Sequence, residues 1–394
     1  MTLLRRTLMG LAAAVAVAAL AFFFVVARVV GARMNRIDGT RAIAVSERAL
    51  ALHRTLRIAD LHDDLLLWDR DPLQLGSSGH TDVTRLVEGN VAVEVFSTVT
   101  KTPKGQNYER NSAASDNITL LAVASRWPFR TWNSRLQRAL HEADKLEHAA
   151  AISEGRLVVV RTRGELETAL AFRGSTPGIK PVIGILNTEG LQAIDGALVN
   201  VDTLFAHGFR MAGLAHFFDN EVAGSAHGEA KGGLTPLGRA ALQRMQALGM
   251  IVDLAHASPQ TFADALALAT KPVIVSHTGV QATCPGPRNL SDEQLRTLAQ
   301  HGALIGIGFW DGAVCDPSPH AIARAIRHAV DVAGLSHVAL GSDWDGATTV
   351  AFGADDVAQV TEALLQAGFS DDEIRAVMGE NAIRFLVENL PAGP

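Results

Sequence analysis

The chain has 394 residues, of which 48% are hydrophobic and 19% charged, so it can bury a large core and is not compositionally disordered. Its formal net charge of −6 provides no concentrated positive field, and we therefore expect no nucleic-acid partner. Two cysteines, Cys284 and Cys315, are too few for a disulfide framework or a sulfur-rich zinc site, and we expect two unpaired thiols rather than one bond.

The N-terminal segment predicts a membrane helix. No charged residue occurs from Thr7 to Ala27, and at a rise of ~1.5 Å per residue this stretch spans the ~30 Å hydrocarbon core of a bilayer. Arg5 and Arg6 precede it, which favours a cytoplasmic N-terminus and an exported, periplasmic body. We therefore assign residues 1–36 to an anchor or signal segment, with residues 7–27 in the membrane.

A cleaved signal peptide is the alternative interpretation. The small residues Val30-Gly31-Ala32 resemble a cleavage site, and cleavage would release a secreted protein. The apolar run is longer than the usual ~7–15 residues of a signal peptide, so a retained single-pass anchor is favoured.

The remaining residues, 37–394, are predicted to form a single domain. A segment with helical spacing, Gly39–Leu56, comes first, and apolar runs of strand length then recur between helix-like stretches. These runs are Ile58–Leu61, Val91–Ser97, Val182–Leu186, Phe209–Ala215, Ile251–Leu254, Val273–Val275, Leu304–Phe309 and Val338–Leu340. Continuously apolar strands are typical of a parallel sheet that is covered on both sides. Eight of them with helical connections predict an α/β fold of the (β/α)₈ TIM barrel type.

The stretch at residues 101–180 is too long for one crossover between strands, and we expect it to be an insertion in the same domain. It contains helical patterns at Ala113–Arg126, Trp132–Glu154 and Arg163–Arg173, and a short strand-like run at Leu157–Val160. An insertion at this point of a barrel can form a wall of the pocket.

Polar residues follow several of these predicted strands. The first run ends in Asp60-Leu61-His62-Asp63-Asp64, and alternation along a strand places His62 and Asp64 on one face. Glu189 follows the third run. Considered alone, each residue has an ordinary structural explanation, as an acidic turn, a helix-capping carboxylate or a core histidine.

Considered together, these residues predict a metal site with two ions. His256 and His277 end the fifth and sixth runs, and Asp343 follows the eighth. The carboxyl ends of barrel strands form the face that carries active sites, and structural accidents would not select one rim so consistently. Imidazole and carboxylate groups suit zinc, and one carboxylate can bridge two ions.

The order of these motifs resembles that of the membrane (renal-type) dipeptidases, within the metallo-dependent hydrolases. The resemblance covers roughly residues 55–390 and is carried by Asp60-x-His62-x-Asp64, His80-Thr81-Asp82, Glu189-Gly190, Asp253-Leu254-Ala255-His256, Ser276-His277, Arg288-Asn289 and Gly341-Ser342-Asp343-Trp344-Asp345-Gly346. It implies that His62 and Asp64 hold one zinc ion, that His256 and His277 hold a second, and that Glu189 bridges them.

The resemblance further implies a zinc-dependent dipeptidase that attacks the peptide bond with a hydroxide bridging the two metals. It assigns His216 to the substrate and its oxyanion, Arg288 to the substrate carboxylate and Asp343 to proton transfer. We include dipeptides with a C-terminal D-residue among the candidate substrates.

Other interpretations remain open at this point. The long, glycine-rich loop Asp219–Gly233 leaves the substrate preference undecided. Another amidohydrolase with two metals, acting on a lactam, lactone or phosphoester, is the main alternative, and a membrane-tethered binding protein without turnover is less favoured. The sequence does not decide whether the chain forms a homodimer.

Overall fold

The computed structural model describes residues 2–175 and 180–393, with side chains from residue 4 onward. Its strands are β1 (Arg36–Ile37), β2 (Ile58–Asp63), β3 (Val91–Thr98), β4 (Leu157–Val159), β5 (Val182–Thr188), β6 (Met211–Gly213), β7 (Ile251–Asp253), β8 (Ile274–Thr278), β9 (Leu304–Ile307), β10 (Val338–Leu340) and β11 (Thr349–Val350). Each of the eight predicted apolar runs overlaps one of these strands, so the strand prediction is confirmed.

The main sheet is parallel and has the strand order β4-β5-β3-β2-β10-β9-β8-β7-β6 among the described residues. A single parallel bridge between Leu186 and Phe209 joins β5 to the chain entering β6, and the Arg210 amide donates to the Leu186 carbonyl at 3.0 Å. Eight strands therefore follow one another in the order of a TIM barrel, while β4 extends the sheet outside that series. The predicted fold class is confirmed.

The helices include those that cover the outside of this sheet and the two N-terminal helices, which precede it in the chain. They are α1 (Thr2–Ala21), α2 (Ala27–Met34), α3 (Glu47–His53), α4 (Val83–Glu88), α5 (Asn117–Ala124), α6 (Arg135–Ile152), α7 (Arg163–Ser175), α8 (Val199–Ala206), α9 (Pro236–Leu248), α10 (Pro259–Leu268), α11 (Asp292–Gln300), α12 (Asp311–Val314), α13 (Pro319–Ala333), α14 (Ala358–Gln366), α15 (Asp371–Arg375) and α16 (Asn381–Asn389). Several begin with a hydroxyl cap followed by proline, as at Thr235, Ser258 and Ser318, because proline lacks the amide that a first-turn residue would leave unpaired.

The segment before β2 is helical over a shorter range than expected. We predicted helical spacing from Gly39 to Leu56, but α3 covers only Glu47–His53, preceded by a 3₁₀ turn at Gly39–Arg41. The Ser46 hydroxyl accepts from the Ala49 amide and thereby starts the helix there. The Ser46 backbone amide and hydroxyl also bind Glu362, which attaches the segment to α14.

The stretch at residues 101–180 contains the predicted elements, as α5, α6, β4 and α7, although residues 176–179 lie outside the described part. Arg138 holds its first half together. This buried guanidinium donates to the carbonyls of Thr131 and Thr100 at 2.8 and 2.7 Å and to the Asp116 carboxylate at 2.6 Å. The loop after β3 and helices α5 and α6 are thus joined at one charged, fully bonded centre.

The expectation of two unpaired thiols is wrong. Cys284 and Cys315 form a disulfide bond across 31 residues of sequence. Cys284 lies in the loop after β8, and Cys315 directly follows α12, which begins soon after β9. Because β8 and β9 are neighbours in the sheet, these two loops meet at its carboxyl edge, a proximity that spacing in the sequence cannot reveal.

The N-terminal helix runs through α1, a π-helical segment at Phe22–Val26 and α2 without a break. From Leu4 to Met34 it spans 31 residues with a mean hydropathy of 2.6 in its most apolar stretch, none of which is buried in the protein. By length and composition it fits either a membrane anchor or a signal sequence.

Candidate metal centre

The eight side chains singled out in the sequence meet at the carboxyl edge of the sheet. They are His62 and Asp64 at the end of β2, Glu189 after β5, His216 after β6, His256 after β7, His277 within β8 and Arg288 in the loop that follows it, and Asp343 after β10. All eight are buried. Parallel strands deliver their last residues to one rim, which explains how positions so distant in sequence share one site.

Glu189 lies at the centre of the cluster. Its Oε1 is 2.9 Å from His256 Nε2 and 3.3 Å from His277 Nε2, while its Oε2 is 3.0 Å from His216 Nε2. His62 Nε2 is 3.7 Å from Oε1. One carboxylate thus faces four imidazoles, an arrangement suited to a bridging ligand.

A second group of ligand atoms lies around His62. Its Nε2 is 3.5 Å from Asp64 Oδ1 and 3.9 Å from Asp343 Oδ1. His62 Nε2 and Asp64 Oδ1 are buried and have no hydrogen-bond partner among the described residues. Buried polar atoms are normally bonded, so two orphaned ligand atoms facing each other indicate a place for a cation.

The electrostatics of the cluster favour a positive charge. Burial acts to lower the pKa of His62, but the carboxylates of Asp64, Glu189 and Asp343 outweigh it and raise that pKa to about 10. Burial also raises the pKa of Asp343 to about 8 and that of Glu189 well above its ordinary value. The carboxylates of Asp343 and Glu189 are thus short of compensating positive charge, and divalent ions would supply it.

The ligand types match a metal that takes nitrogen and oxygen donors. Three groups of three side chains each bring their ligand atoms within 4.8 Å of one another: His62, Glu189 and His277; Glu189, His216 and His256; and His62, Asp64 and Asp343. The residues therefore fit a metal centre.

These groups differ from the simple pairing that the resemblance implies. His277 groups with His62, and His216, expected at the substrate, lies as close to Glu189 as His256 does. The Nε2 atoms of His256 and His277 are nevertheless only 3.0 Å apart.

Two members of the cluster have strained backbones. His256 has φ of 61° and Asp343 has φ of 60°, in the left-handed region that side chains other than glycine rarely adopt. Such strain persists only where the surrounding structure enforces it, and it concentrates at functional sites.

Sequence reasoning gave no role to the residues that orient the histidines. Asp253 accepts from the Ser276 amide at 2.9 Å, and the Ser276 hydroxyl lies between the Asp253 carboxylate and His277 Nδ1, 2.9 Å from the latter. Holding Nδ1 directs Nε2 of His277 toward Glu189. The signal was present in the motifs Asp253-Leu254-Ala255-His256 and Ser276-His277, but a second layer of contacts cannot be assigned from spacing.

A matching support lies on the other side of the cluster. Asp60 accepts from the Ser342 amide at 2.8 Å and from its hydroxyl, which is also 3.1 Å from the His62 carbonyl. The Asp343 amide donates to that same carbonyl at 3.2 Å. These bonds join the end of β2 to the loop after β10 and fix Asp343 beside His62.

Arg288 is the one arginine among the eight residues. Its Nη2 donates to the His277 carbonyl at 2.7 Å and lies 3.5 Å from His256 Nε2, and its guanidinium is 5.2 Å from the centre of the Trp310 ring. Arg288 Nε is buried and unpartnered among the described residues. A buried guanidinium with an unpaired N–H beside these histidines suits an anionic group such as a carboxylate.

A cavity of about 550 Å³ opens onto the cluster. Six of the eight residues line it: Asp64, Glu189, His216, His256, Arg288 and Asp343. Sequence reasoning missed Tyr108 of the insertion, whose hydroxyl accepts from Trp310 Nε1 at 2.8 Å, and both residues line the same cavity. The insertion therefore does form a wall of the pocket. The cavity also borders the N-terminal helix, which nothing in the sequence suggested.

Comparison with known sequences supports the resemblance noted above. The family model described as "Membrane dipeptidase (Peptidase family M19)" matches residues 46–390. One relative, "Dipeptidase tcpJ" of Claviceps purpurea (strain 20.1), is 29% identical over 320 residues, which cover 79% of this chain and 69% of the relative.

Solved structures share the fold. A metallo peptidase from Rhodobacter sphaeroides, liganded with a phosphinate mimic of the dipeptide L-Ala-D-Ala, superposes with a TM-score of 0.68 and 24% identity, covering 85% of this chain and 99% of that one. The probable dipeptidase PvdM from Pseudomonas aeruginosa gives a TM-score of 0.71 with 17% identity, covering 87% of this chain and 98% of that one.

The cluster predicts how metal content responds to substitution. His256→Ala should lower the amount of divalent metal that co-purifies with the protein, since it removes an imidazole from the group around Glu189. The measurement is elemental analysis of the purified full-length protein after dialysis against metal-free buffer. His207→Ala, at a partly exposed histidine that pairs with Asp144, is the matched control and should keep the wild-type content. Equal metal content in both variants would contradict the assignment.

Proposed function

The chain belongs to the membrane dipeptidase family and is a metallopeptidase that acts as a dipeptidase; we propose that it uses two zinc ions held around Glu189. His62 and Asp64 would hold one ion, His256 and His277 the other, and Glu189 would bridge them. The observation that carries the proposal is the position of Glu189, whose carboxylate faces imidazoles from both sides. The 3.0 Å approach of His256 Nε2 to His277 Nε2 supports placing those two on one ion.

When bound, the metals would supply a hydroxide nucleophile near neutral pH and polarise the scissile carbonyl. The remaining tasks fall to side chains of this chain. Asp343 is placed to accept the proton of the attacking water and return it to the departing amine, because its carboxylate borders both the His62 group and the cavity.

His216 is proposed to stabilise the oxyanion of the tetrahedral intermediate. Burial lowers the pKa of this histidine to about 3, so it is a neutral imidazole that can donate one hydrogen bond without adding charge. It lines the cavity beside Glu189, where its free N–H would face the scissile carbonyl of a bound substrate.

Arg288 is proposed to bind the C-terminal carboxylate of the substrate. Its guanidinium lies beside His256 and His277, so a carboxylate on it would place the peptide bond one residue away, over the metals. A carboxylate bound one residue beyond the scissile bond would release a single C-terminal amino acid, as hydrolysis of a dipeptide requires. The same residue speaks against a lactam, lactone or phosphoester as the main substrate, since those need no terminal carboxylate.

The substrate proposal predicts turnover of dipeptides that depends on Arg288 and on the carboxylate. We expect the zinc-loaded full-length protein, with about two equivalents of zinc bound, to hydrolyse L-Ala-L-Ala and also L-Ala-D-Ala. Arg288→Ala should lower kcat/KM by ~100-fold, since a charge-assisted pair is worth about 1.5–3 kcal/mol. The measurement is a steady-state assay of released amino acid.

The substrate with a C-terminal amide separates binding from misfolding. Wild type should hydrolyse L-Ala-L-Ala amide poorly, and Arg288→Ala should reduce that rate little further, because the partner of the guanidinium is already missing. Arg296→Ala, an exposed arginine on α11, is the control and should behave as wild type with both substrates. Absence of turnover of every dipeptide at full zinc occupancy would refute the proposed function.

The proton role of Asp343 makes a separate prediction. Asp343→Asn should retain metal and lower kcat by ~10²-fold or more, because an amide cannot relay the proton. Asp331→Asn, on the exposed side of α13, should keep the wild-type rate. Steady-state kinetics with parallel metal analysis distinguish the two effects, and a full rate in Asp343→Asn would reject the assignment.

We further propose that the N-terminal helix is retained as an anchor with the catalytic domain on the periplasmic side. The uncharged length from Thr7 to Ala27, with Arg5 and Arg6 before it, supports this orientation. An alkaline phosphatase fusion at the C-terminus should be active and should sediment with membranes. An inactive fusion would reverse the orientation, and an active but soluble one would indicate cleavage.

A further inference from the structure

The cavity over the metal cluster has a polar end and an apolar end. The polar end consists of the cluster residues and Arg288. The apolar end is lined by Leu67, Trp68 and Val99 after β2 and β3, by Ile118, Leu121 and Ala124 of α5, and by Val26, Val30 and Met34 of the N-terminal helix. We call this apolar end, defined by these nine residues, the apolar compartment. The proposed mechanism gives it no task.

The N-terminal helix is firmly seated where it forms this wall. A Cβ atom at Gly31 would lie 3.0 Å from the Trp68 ring, so the helix and the indole are in close contact. Arg28 pairs with Asp69 at 3.5 Å, and β1 pairs with β11 through Arg36 and Thr349. The end of the N-terminal helix that lines the cavity is therefore packed against the catalytic domain through several specific contacts.

A second set of contacts holds the helix against α5. Arg126 donates to the Phe23 carbonyl and covers the Phe24 ring, with its guanidinium 4.6 Å from the ring centre. Val30 packs against the apolar cluster that includes Trp68, Ile118 and Trp127. The compartment is thus enclosed by helix on one side and by the insertion on the other.

The size of the cavity exceeds what a small dipeptide needs. At about 550 Å³ it lies within the range of pockets that hold drug-sized ligands. A dipeptide of two alanines, bound through Arg288 and the metals, would leave the apolar compartment empty. Unfilled apolar surface beside a bound substrate favours any substituent that reaches it, because burial removes that surface from water.

The order of the strands determines which part of the substrate reaches the compartment. Arg288 follows β8, whereas Leu67 and Val99 follow β2 and β3, and the order β3-β2-β10-β9-β8 places these loops on opposite sides of the rim. A dipeptide whose carboxylate lies at Arg288 and whose peptide bond lies over the metals therefore extends its amino-terminal residue toward the apolar compartment.

We propose that the apolar compartment, walled in part by the N-terminal helix, is a specificity site for dipeptides whose amino-terminal residue carries a large apolar side chain. This inference rests on the proposed function, because it uses the positions assigned to the carboxylate and the peptide bond. Each methylene buried there should raise kcat/KM by roughly fourfold at most, as expected for transfer out of water.

The test uses the full-length, zinc-loaded protein in lipid nanodiscs, because detergent would compete for an apolar site. The substrates are Ala-Ala, Leu-Ala, Phe-Ala and 2-aminodecanoyl-Ala, and the readout is the ratio of kcat/KM for each to that for Ala-Ala. We expect the ratio for 2-aminodecanoyl-Ala to be at least about tenfold, from the burial of its alkyl chain. A ratio near one in wild type would overturn the proposal.

Two variants connect this ratio to the helix. Val30→Asn places an amide in the wall and should lower the ratio by about tenfold or more, by removing apolar surface and leaving a polar group to be desolvated. Met34→Gln changes a half-exposed wall residue at small risk to folding and should lower the ratio in the same direction.

Val29→Asn is the matched control, since it makes the same change one residue earlier at a position that does not line the cavity. It should keep the wild-type ratio. Equal ratios in Val29→Asn and Val30→Asn would overturn the proposal. Failure of the proposed function is distinguishable, because it would abolish turnover of Ala-Ala itself, whereas failure of this inference leaves Ala-Ala hydrolysed with a flat series.

Discussion

The charge balance around Glu189 is the constraint on which the rest of the site depends. Asp64, Glu189 and Asp343 are buried within a few ångströms of His62, and burial of uncompensated carboxylates is strongly unfavourable. Divalent ions, when bound, would offset this unfavourable free energy by neutralising the charge of the carboxylates. Folding stability and metal binding are therefore coupled at this cluster. The hydrogen bonds that Asp253 and Asp60 accept would hold the ligand side chains in position when no ion is bound.

The barrel geometry concentrates these groups, and the loops decide what they act on. Strand ends supply the clustered histidines and carboxylates, whereas the loop after β8 supplies Arg288 and the insertion supplies Tyr108. The disulfide bond between Cys284 and Cys315 fixes the loop that carries Arg288 to the one after β9. The sheet thus positions the candidate metal ligands, and the loops carry the residues proposed to contact the substrate.

The sequence predicted those features that depend on a local pattern of residue types. Continuous apolar runs predicted the eight strands, and a polar residue after each of several runs predicted the rim that carries the cluster, since parallel strands end at one edge. It was uninformative where contact depends on neighbours in space. Predicting the bond between Cys284 and Cys315 requires the knowledge that β8 and β9 are neighbours in the sheet. Assigning a role to Ser276 requires the position of His277, whose Nε2 faces Glu189. Helical spacing overestimated the segment that became α3, because a single capping residue, Ser46, set its start.

The contacts of the N-terminal helix with the catalytic domain give this segment a role in the cavity as well as in localisation. The small residues Val30-Gly31-Ala32, which resemble a cleavage site, lie in the part of the helix that contacts Trp68. A protease acting there would separate Val26 and the membrane-spanning part from a body that keeps its metal ligands, its Arg288 and the β1–β11 pairing. Cleavage would then give two forms of the enzyme with the same catalytic residues and different substrate preferences. The membrane-bound form would favour dipeptides with large apolar side chains, and the released form, without this wall, would have a wider entrance to the cavity.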